Sequence, residues 1–308
     1  MNSGVLYALG AYLLWGLLPL YLHLLGSIST LEILAHRIAW SLVTVAVLLV
    51  GLRRLDWIKD AIRQPVLIGR FVITAMLITV NWTLYIWAIN SGHVVDASLG
   101  YFINPLVNVL LGSLLLHERM RSGQKLAIGI AAVAVAWLTW QARAIPWVAL
   151  TLALSFATYG LLRKTARLGA LEGFTVEAAV LTPIAVAYMF WLNSNGELGF
   201  ANSPWSMRLL LILAGPVTTA PLLLFAAGAR RITFYMLGLL QYLAPTLTWI
   251  TGIYVFHEPF DPHKAIGFAL IWLALVVFAL EGLWNRYQDS STSLTSASRG
   301  GGVEGQEG

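Results

Sequence analysis

The sequence contains no cysteine among its 308 residues. A chain without thiols has no disulfide framework and no thiolate metal site, and it cannot carry out thiol chemistry. The fold class and the function must therefore be inferred from how the apolar, charged and polar residues are distributed.

Charged residues are also scarce. Asp, Glu, Lys and Arg make up 11% of the chain, whereas soluble domains contain about 25%. Hydrophobic residues make up 58%, and the mean hydropathy is +0.76. Because a soluble domain of this length cannot bury so much apolar surface, the composition predicts a membrane protein.

Apolar stretches of about 20 residues, the length that a helix needs to cross a bilayer, occur ten times. They lie near 4–25, 32–52, 67–90, 94–116, 124–142, 145–163, 173–192, 207–229, 233–256 and 264–284. None alternates as a barrel strand does, so helices are predicted. The first lacks a basic segment before it and is too long for a cleaved signal peptide. Residues 287–308, rich in Ser, Thr and Gly, are expected to form a disordered cytoplasmic tail.

Lysine and arginine are distributed very unevenly between the connections. If the N-terminus is cytoplasmic, fifteen of them lie in inner connections or the tail and only Arg143, Arg208 and Lys264 lie in outer ones. Positive charge concentrates on the cytoplasmic side of membrane proteins, so both termini are predicted to be cytoplasmic. The net charge of +5 then reflects topology and lipid contact, and no nucleic-acid partner is expected.

One motif recurs 140 residues later in the chain. Tyr101–Pro105 opens an apolar run that ends at His117-Glu118, and Gln241–Pro245 opens a run that ends at His257-Glu258. Such internal symmetry is typical of duplicated transport folds. Since each half has five spans, the second half begins on the opposite side of the membrane. The prediction is an all-α membrane protein of ten transmembrane helices, arranged as two inverted five-helix repeats at 1–143 and 144–286.

Several chemistries are not expected. The short connections leave no room for a soluble catalytic domain, and there is no phosphate-binding glycine-rich loop. The two His-Glu pairs lack the second histidine of a metalloprotease helix, because position 121 is Arg and position 261 is Asp. They are interpreted as structural, with each glutamate favouring the N-terminus of the next helix. The sequence predicts no catalytic residue, no metal site and no cofactor.

Four sequence segments together resemble the RarD branch of the EamA-type transporters, in the drug/metabolite transporter superfamily. These segments are Glu32–Ser41, Asn81-Trp82, Tyr85–Ala88 and Ser98–Leu106. The resemblance covers residues 1 to about 286. It implies ten helices in the bacterial inner membrane, secondary transport of a small metabolite or drug, and a central cavity lined by spans one to four and six to nine. The sequence departs from the family pattern at Asp96, where the resemblance leads us to expect Glu.

Ionisable side chains near the outer ends of the second and fourth spans are candidates for ion coupling or gating. They are Glu32, His36, Arg37 and Asp96. Charged groups inside a span are costly and usually face a cavity or a partner. Arg37 could bind an anionic group or pair with Asp96, and Glu32 could exchange a proton. The alternatives are that Glu32 and Asp96 cap their helices and that Arg37 snorkels outward.

Polar and aromatic residues within the spans are candidates for lining a substrate cavity. They are Asn81, Trp82, Tyr85, Tyr101, Asn104 and Asn108 in the first half, and Gln241, Tyr242 and Trp249 in the second. Tyr101, Asn104 and Asn108 share one helical face. Amide and aromatic groups suit a neutral or zwitterionic substrate with a ring. The alternative is hydrogen bonding between helices. Pro105 and Pro245, at matching positions, are candidate hinges.

The sequence therefore predicts a secondary transporter of a small organic molecule working by alternating access, with export favoured by the family resemblance. A passive channel or facilitator and a non-transporting membrane scaffold are the alternatives. A proton is the predicted coupling ion, exchanged at Glu32, His36 and Asp96, although Glu172 and Glu177 of the second half also qualify. The substrate and a homo-oligomeric state are left open.

Overall fold

The computed structural model describes residues 3–90, 94–142, 147–255, 265–267, 269–282 and 284. Within these ranges every regular element is a helix and there is no strand. A helix satisfies its backbone hydrogen bonds internally, which a chain surrounded by lipid requires. The predicted tail at 287–308 lies outside the described residues.

The helices follow one another along the chain as α1 (Ser3–Leu24), α2 (Thr30–Gly51), α3 (Trp57–Ile62), α4 (Pro65–Asn90), α5 (Val94–Leu115), α6 (Ser122–Ala142), α7 (Trp147–Lys164), α8 (Ala170–Ser194), α9 (Gly199–Asn202), α10 (Trp205–Ala229), α11 (Phe234–Gln241), α12 (Leu243–Tyr254) and α13 (Ala265–Gly282).

Helices occupy all ten predicted spans, and the protein is a multi-pass membrane protein. In the described ranges, seven helices are long and apolar enough to cross a bilayer, namely α1, α2, α4, α6, α8, α10 and α13. The spans of α5, α7 and the α11–α12 pair do not meet that standard within the same ranges. Those helices pack against one another or against α1 in the interior, so their polar side chains can bond to neighbouring helices instead of facing lipid.

The ninth predicted span is not one continuous helix, which corrects the prediction for 233–256. It divides at Tyr242 into α11 and α12. Pro245 explains the division, because its ring excludes the carbonyl four residues earlier, at Gln241, and its nitrogen has no proton to donate. At the division, the Tyr242 amide donates to the carbonyl three residues earlier, at Leu239, at 3.3 Å. Pro105, at the matching position, lies inside the uninterrupted helix α5.

Two short helices lie in connections where none was predicted. Helix α3 follows α2 on the side predicted to be cytoplasmic, and α9 follows α8 on the opposite side. Helix α9 packs against α10 and provides backbone N–H groups to the first half of the chain, as described below.

The packing of the two halves follows a pattern of exchanged partners. Helix α1 packs against α10 and α12, and its predicted counterpart α7 packs against α4 and α5. Helix α2 packs against α8 and α10, and α8 packs against α2 and α4. Under the predicted repeat, α4 corresponds to α10 and α5 to α11–α12. Each contact thus recurs with the two halves exchanged, as a twofold relation between them requires.

The first His-Glu pair joins the two halves. His117 has a φ of 52°, and the chain turns back so that the Glu118 amide donates to the Gly112 carbonyl at 3.0 Å. The Glu118 carboxylate accepts from the amides of Phe234, at 2.7 Å, and Tyr235, at 3.2 Å, at the start of α11. Glu118 was expected to stabilise the next helix, α6. It caps α11 of the other half instead. The pair at 257–258 lies outside the described residues.

The positive-inside pattern predicts an even number of membrane crossings. Reporter fusions after residues 58, 120, 166 and 286 should be active only in the cytoplasm, and a fusion after residue 198 only outside it, because lysine and arginine resist translocation. The measurement is paired activity of a cytoplasmic and an external reporter at each site. External activity at 286 would contradict both the ten-span topology and the inverted repeat.

Candidate functional site

Arg37 lies on α2, where that helix faces α4 and α10. Its Nε donates to the Thr218 hydroxyl at 2.9 Å, and its guanidinium carbon lies 4.8 Å from the centre of the Trp82 ring. No carboxylate among the described side chains lies within 4.0 Å of this guanidinium. Arg37 is partly buried, and a cation that is even partly removed from water without an anionic partner is costly, so the arrangement suits an anionic group supplied by a ligand.

Three tyrosines surround the same guanidinium. Tyr21, Tyr85 and Tyr101 all lie within electrostatic range of Arg37, and the rings of Tyr85 and Tyr101 meet edge to face with centres 5.5 Å apart. The Tyr21 hydroxyl donates to the Leu210 carbonyl at 2.5 Å. Tyr101 leaves 40% of its surface exposed. Tyr21 was not predicted, because nothing in the first span distinguishes it from an interfacial tyrosine.

Glu177 on α8 forms a second cluster of polar groups. Its carboxylate accepts from the hydroxyls of Thr74, at 2.6 Å, and Tyr159, at 3.4 Å. The Arg163 guanidinium lies 3.7 Å away, over the ring of Phe71, and Arg163 also donates to the Ala170 carbonyl at 2.8 Å. Glu177 and Arg163 are each 1% exposed. Arg163 was counted as a residue of a cytoplasmic connection, but the structure buries it with this carboxylate.

A cavity of about 20 Å³, which holds roughly one water molecule, connects the two clusters. It is lined by Arg37, Ile38, Ser41, Ile78, Trp82, Phe174, Glu177, Ala178, Leu181 and Thr218. These residues come from α2, α4, α8 and α10, two helices from each half. The structure thus places a cationic and an anionic side chain on the walls of one central cavity.

Arg37 and Glu177 are 140 residues apart, which is the distance of the predicted repeat. Arg37 bonds to a threonine of α10, and Glu177 bonds to a threonine of α4, which is the counterpart of α10. Sequence reasoning named Glu177 only as a secondary coupling candidate. Extending the repeat offset from Arg37 would have identified it as the matching residue.

The predicted outer cluster has a different arrangement from the one expected. The Glu32 carboxylate accepts from the backbone amides of Gly199, at 3.0 Å, and Phe200, at 2.8 Å, in α9. The N-cap of α2 is Ser29, whose hydroxyl accepts from the Glu32 amide at 3.3 Å. The His36 ring stacks on Phe200 with centres 5.0 Å apart and lies 3.7 Å from Glu32. Glu32 and His36 therefore hold α9 over the end of α2.

Asp96 lies near the start of α5. Its side chain falls outside the described residues, so its predicted pairing with Arg37 stays a prediction.

The buried amides connect helices to one another. Asn81 donates to the Leu152 carbonyl at 2.8 Å and to the Ser155 hydroxyl at 2.9 Å, which joins α4 to α7. Asn104 donates to the Ala153 carbonyl at 3.2 Å. Asn108 donates to Gln241 at 3.0 Å. These are the interhelical hydrogen bonds that sequence analysis left as the alternative to a cavity.

The remaining aromatic candidates are also separate from the central cavity. The Tyr242 hydroxyl donates to the Phe102 carbonyl at 3.2 Å, a pair that is again 140 residues apart. Trp249 packs against Trp272, with ring centres 5.7 Å apart, on the outer side of α12. Of the nine predicted cavity residues, Trp82, Tyr85 and Tyr101 surround Arg37, and the other six lie at contacts between helices.

Ion pairs close the end of the bundle that is predicted to face the cytoplasm. Lys164 lies 3.7 Å from Glu118 and donates to the Ala229 carbonyl at 3.0 Å. Arg54 pairs with Glu172 at 3.0 Å. Each pair joins a residue of the first half to one of the second, so this end cannot open without breaking contacts between the halves.

Comparison with known proteins shows which family and which relatives the chain resembles. Residues 2–140 match the EamA-like transporter family. The chain is 46% identical to Protein RarD of Streptomyces exfoliatus, over 92% of this chain and 90% of that protein. It is 43% identical to the uncharacterized transporter YojE of Bacillus subtilis, over 94% and 98%. It is 41% identical to Protein RarD of Escherichia coli, also over 94% and 98%.

A solved crystal structure has the same fold. It superimposes with a TM-score of 0.67 over 91% of this chain and 98% of the other, at 20% sequence identity. At that identity the likeness shows the fold alone.

Thiol labelling distinguishes cavity residues from packed ones in this cysteine-free chain. A cysteine in place of Tyr101 should react with a small polar maleimide, because that position is exposed beside Arg37. Cysteines in place of Asn104 or Asn108 should react far more slowly, because both side chains are buried between helices. Leu110→Cys, on the same helix, is the lipid-facing control and should stay unlabelled. Equal labelling at 101, 104 and 108 would show that this whole face of α5 is accessible to water, which would contradict the prediction.

Proposed function

We propose, on the premise that this chain belongs to the RarD branch of the EamA-like transporter family, that it is a secondary transporter of a small organic molecule working by alternating access. The family membership rests on relatives that are more than 40% identical along nearly their whole length. The proposals for the substrate class and the mechanism rest on the geometry of the site.

The observation that carries the proposal is the guanidinium of Arg37, which faces a central cavity without a carboxylate partner among the described residues. A substrate carboxylate or similar anionic group would complete its hydrogen bonds beside Thr218. Trp82 and the Tyr85–Tyr101 pair offer aromatic faces for an apolar or ring-containing body. Glu177, on the same cavity, would accept a cationic group. A zwitterionic molecule with a ring fits all three features.

Alternating access requires a closed form and two ways of opening it. The cavity of about 20 Å³ corresponds to a closed form, because it is far smaller than the ~300–1,000 Å³ of typical small-molecule sites. Opening toward one face would separate Glu32 from α9. Opening toward the other would break the Lys164–Glu118 and Arg54–Glu172 pairs. The division of the ninth span at Tyr242 gives a joint between α11 and α12 for such movements.

The proposed setting is a bacterial inner membrane with both termini in the cytoplasm. The relatives named above come from bacteria, and the uneven distribution of lysine and arginine supports the orientation. Export is proposed from the family resemblance.

A test of the site begins with identifying a ligand. A thermal-shift screen of metabolites and antibiotics on the purified protein should find compounds that stabilise it, because a ligand of the folded state raises its stability by mass action. Arg37→Gln should weaken binding of such a ligand by about 10- to 150-fold, since a hydrogen bond to a charged group contributes about 1.5–3 kcal/mol. Arg37→Lys should retain part of the affinity, because it keeps the charge but not the planar fork.

Transport of that ligand in proteoliposomes then separates the three classes of protein. A carrier shows saturable counterflow, a channel shows flux without counterflow, and a scaffold shows no flux. Unchanged affinity in Arg37→Gln, with a wild-type melting temperature in the absence of ligand, would contradict the assignment of Arg37 to the site.

For energy coupling we propose proton antiport at Glu177. It is a carboxylate on the central cavity, whereas the contacts of Glu32 with α9 assign that residue a capping role. The groups that face Glu177 are Thr74 on α4, Tyr159 and Arg163 on α7, and Arg37 across the cavity. A proton on Glu177 would remove the charge that holds Arg163 and would free that contact between α7 and α8. Asp96 stays as the second proposed carboxylate.

An imposed pH gradient should speed uptake by the wild-type protein in proteoliposomes. Glu177→Gln should abolish that response, because glutamine cannot exchange a proton, and should weaken substrate exchange without removing it, because glutamine keeps the shape but not the charge that would accept a cationic group. Glu32→Gln is the matched control and should retain the response, and Asp96→Asn tests the other carboxylate. If Glu177→Gln still responds to the gradient, the coupling site lies elsewhere. If the wild-type flux ignores the gradient, the protein is a facilitator.

A further inference from the structure

A basic cleft, separate from the central cavity, lies on the side predicted to be cytoplasmic. It has a volume of about 320 Å³ and is lined by Arg63, Gln64, Pro65, Val66, Leu67, Arg70 and Arg167. Arg63 and Arg70 flank the start of α4, and Arg167 lies in the connection between α7 and α8. The first two belong to the first half of the chain and the third to the second half.

The three arginines of this cleft are exposed and have no anionic partner in the described part of the chain, where no carboxylate lies within 4.0 Å of their guanidinium groups. Other arginines on the same face do have partners. Arg54 pairs with Glu172, and Arg230 donates to the Ala166 and Leu168 carbonyls. Three arginines that line one cleft of this size offer the donors that a phosphate-bearing group needs, because the guanidinium fork matches phosphate oxygens.

Apolar residues next to the cleft indicate where that phosphate comes from. Val66, on the cleft wall, leaves 77% of its surface exposed, and Ile62, at the end of α3, leaves 69%. Trp57, at the start of the same short helix, donates from its indole to the Arg54 carbonyl at 2.9 Å, an arrangement typical of tryptophan at a membrane interface. Exposed aliphatic groups beside the arginines suit acyl chains rather than water.

We infer that this cleft binds the headgroup of an anionic phospholipid. The phosphate accepts from Arg63, Arg70 and Arg167, and the acyl chains run along Val66 and Ile62 toward the bilayer. Basic pockets at the cytoplasmic ends of membrane helices have the charge for such headgroups. Because the arginines come from both halves, a bound lipid ties the start of α4 to the α7–α8 connection and stabilises the form in which these ends lie together.

The inference is tested with the full-length protein in mild detergent or in phosphatidylcholine nanodiscs. Titrated phosphatidylglycerol should raise the melting temperature of the wild-type protein. The triple variant Arg63→Gln, Arg70→Gln, Arg167→Gln should need about 100-fold more of this lipid for the same shift, since it removes the charge-assisted hydrogen bonds from three guanidinium groups to the phosphate. The control removes three exposed charges of the same face that lie outside the cleft, with Arg53→Gln, Lys59→Gln and Arg119→Gln, and should respond like the wild type.

Three outcomes would overturn the inference. One is an equal loss of lipid response in the control triple, which would show that only the net charge of the face matters. Another is an unchanged response in the cleft triple. The third is stabilisation by inorganic phosphate in phosphatidylcholine nanodiscs that matches the effect of the lipid and is lost in the cleft triple, since this would assign the cleft to a soluble phosphate. Native mass spectrometry of the lipid-bound protein gives a second readout if the cleft triple is itself less stable.

Discussion

A charge inside a bilayer needs compensating contacts, and the central region of this protein is organised around one cation, Arg37, that has no carboxylate partner among the described residues. Arg37 has a hydroxyl and an aromatic face as neighbours, whereas Arg163 has a carboxylate. Arg163 is 1% exposed and Arg37 is only partly buried, so the more deeply buried guanidinium is the one with the carboxylate. The positive charge of Arg37, which no described carboxylate neutralises, lies on one wall of the cavity. Glu177 on the same cavity supplies the opposite charge.

Hydrogen bonds to carboxylates also connect the two halves at the ends of the bundle. Two glutamates of the first half accept hydrogen bonds from backbone amides of the second. Glu32 binds the start of α9, and Glu118 binds the start of α11. A carboxylate at a helix N-terminus is stabilised by the unpaired amides and by the helix dipole. Each contact is local and depends on a few hydrogen bonds, so each can break without disturbing the core of the bundle. In the proposed mechanism, α2, α4, α8 and α10 would then move around the cavity.

Hydropathy was enough to predict the ten helical spans, because lipid imposes one requirement on every stretch of chain that it surrounds. The bonds between helices could not be predicted in the same way. Asn108 and Gln241 were each identified as polar residues within a span, but they are 133 positions apart, and no periodicity joins them. The two prolines show the same limit. Pro105 and Pro245 occupy matching positions, yet the helical hydrogen-bond pattern is interrupted only near Pro245, at Tyr242, where the backbone stays in the right-handed helical region. Arg37 was predictable as the deepest of the candidate ionisable residues, whereas Glu177 was named only as a further coupling candidate and was not matched to Arg37 through the predicted repeat.

The most direct test of this account is a structure of the protein with its transported substrate bound. The account predicts an anionic atom of the substrate about 3 Å from the Arg37 guanidinium, with its apolar body against Trp82 and Glu177 on the opposite wall. A substrate bound between α5 and α11, beside Asn104 and Asn108, with Arg37 paired to a protein carboxylate, would contradict it.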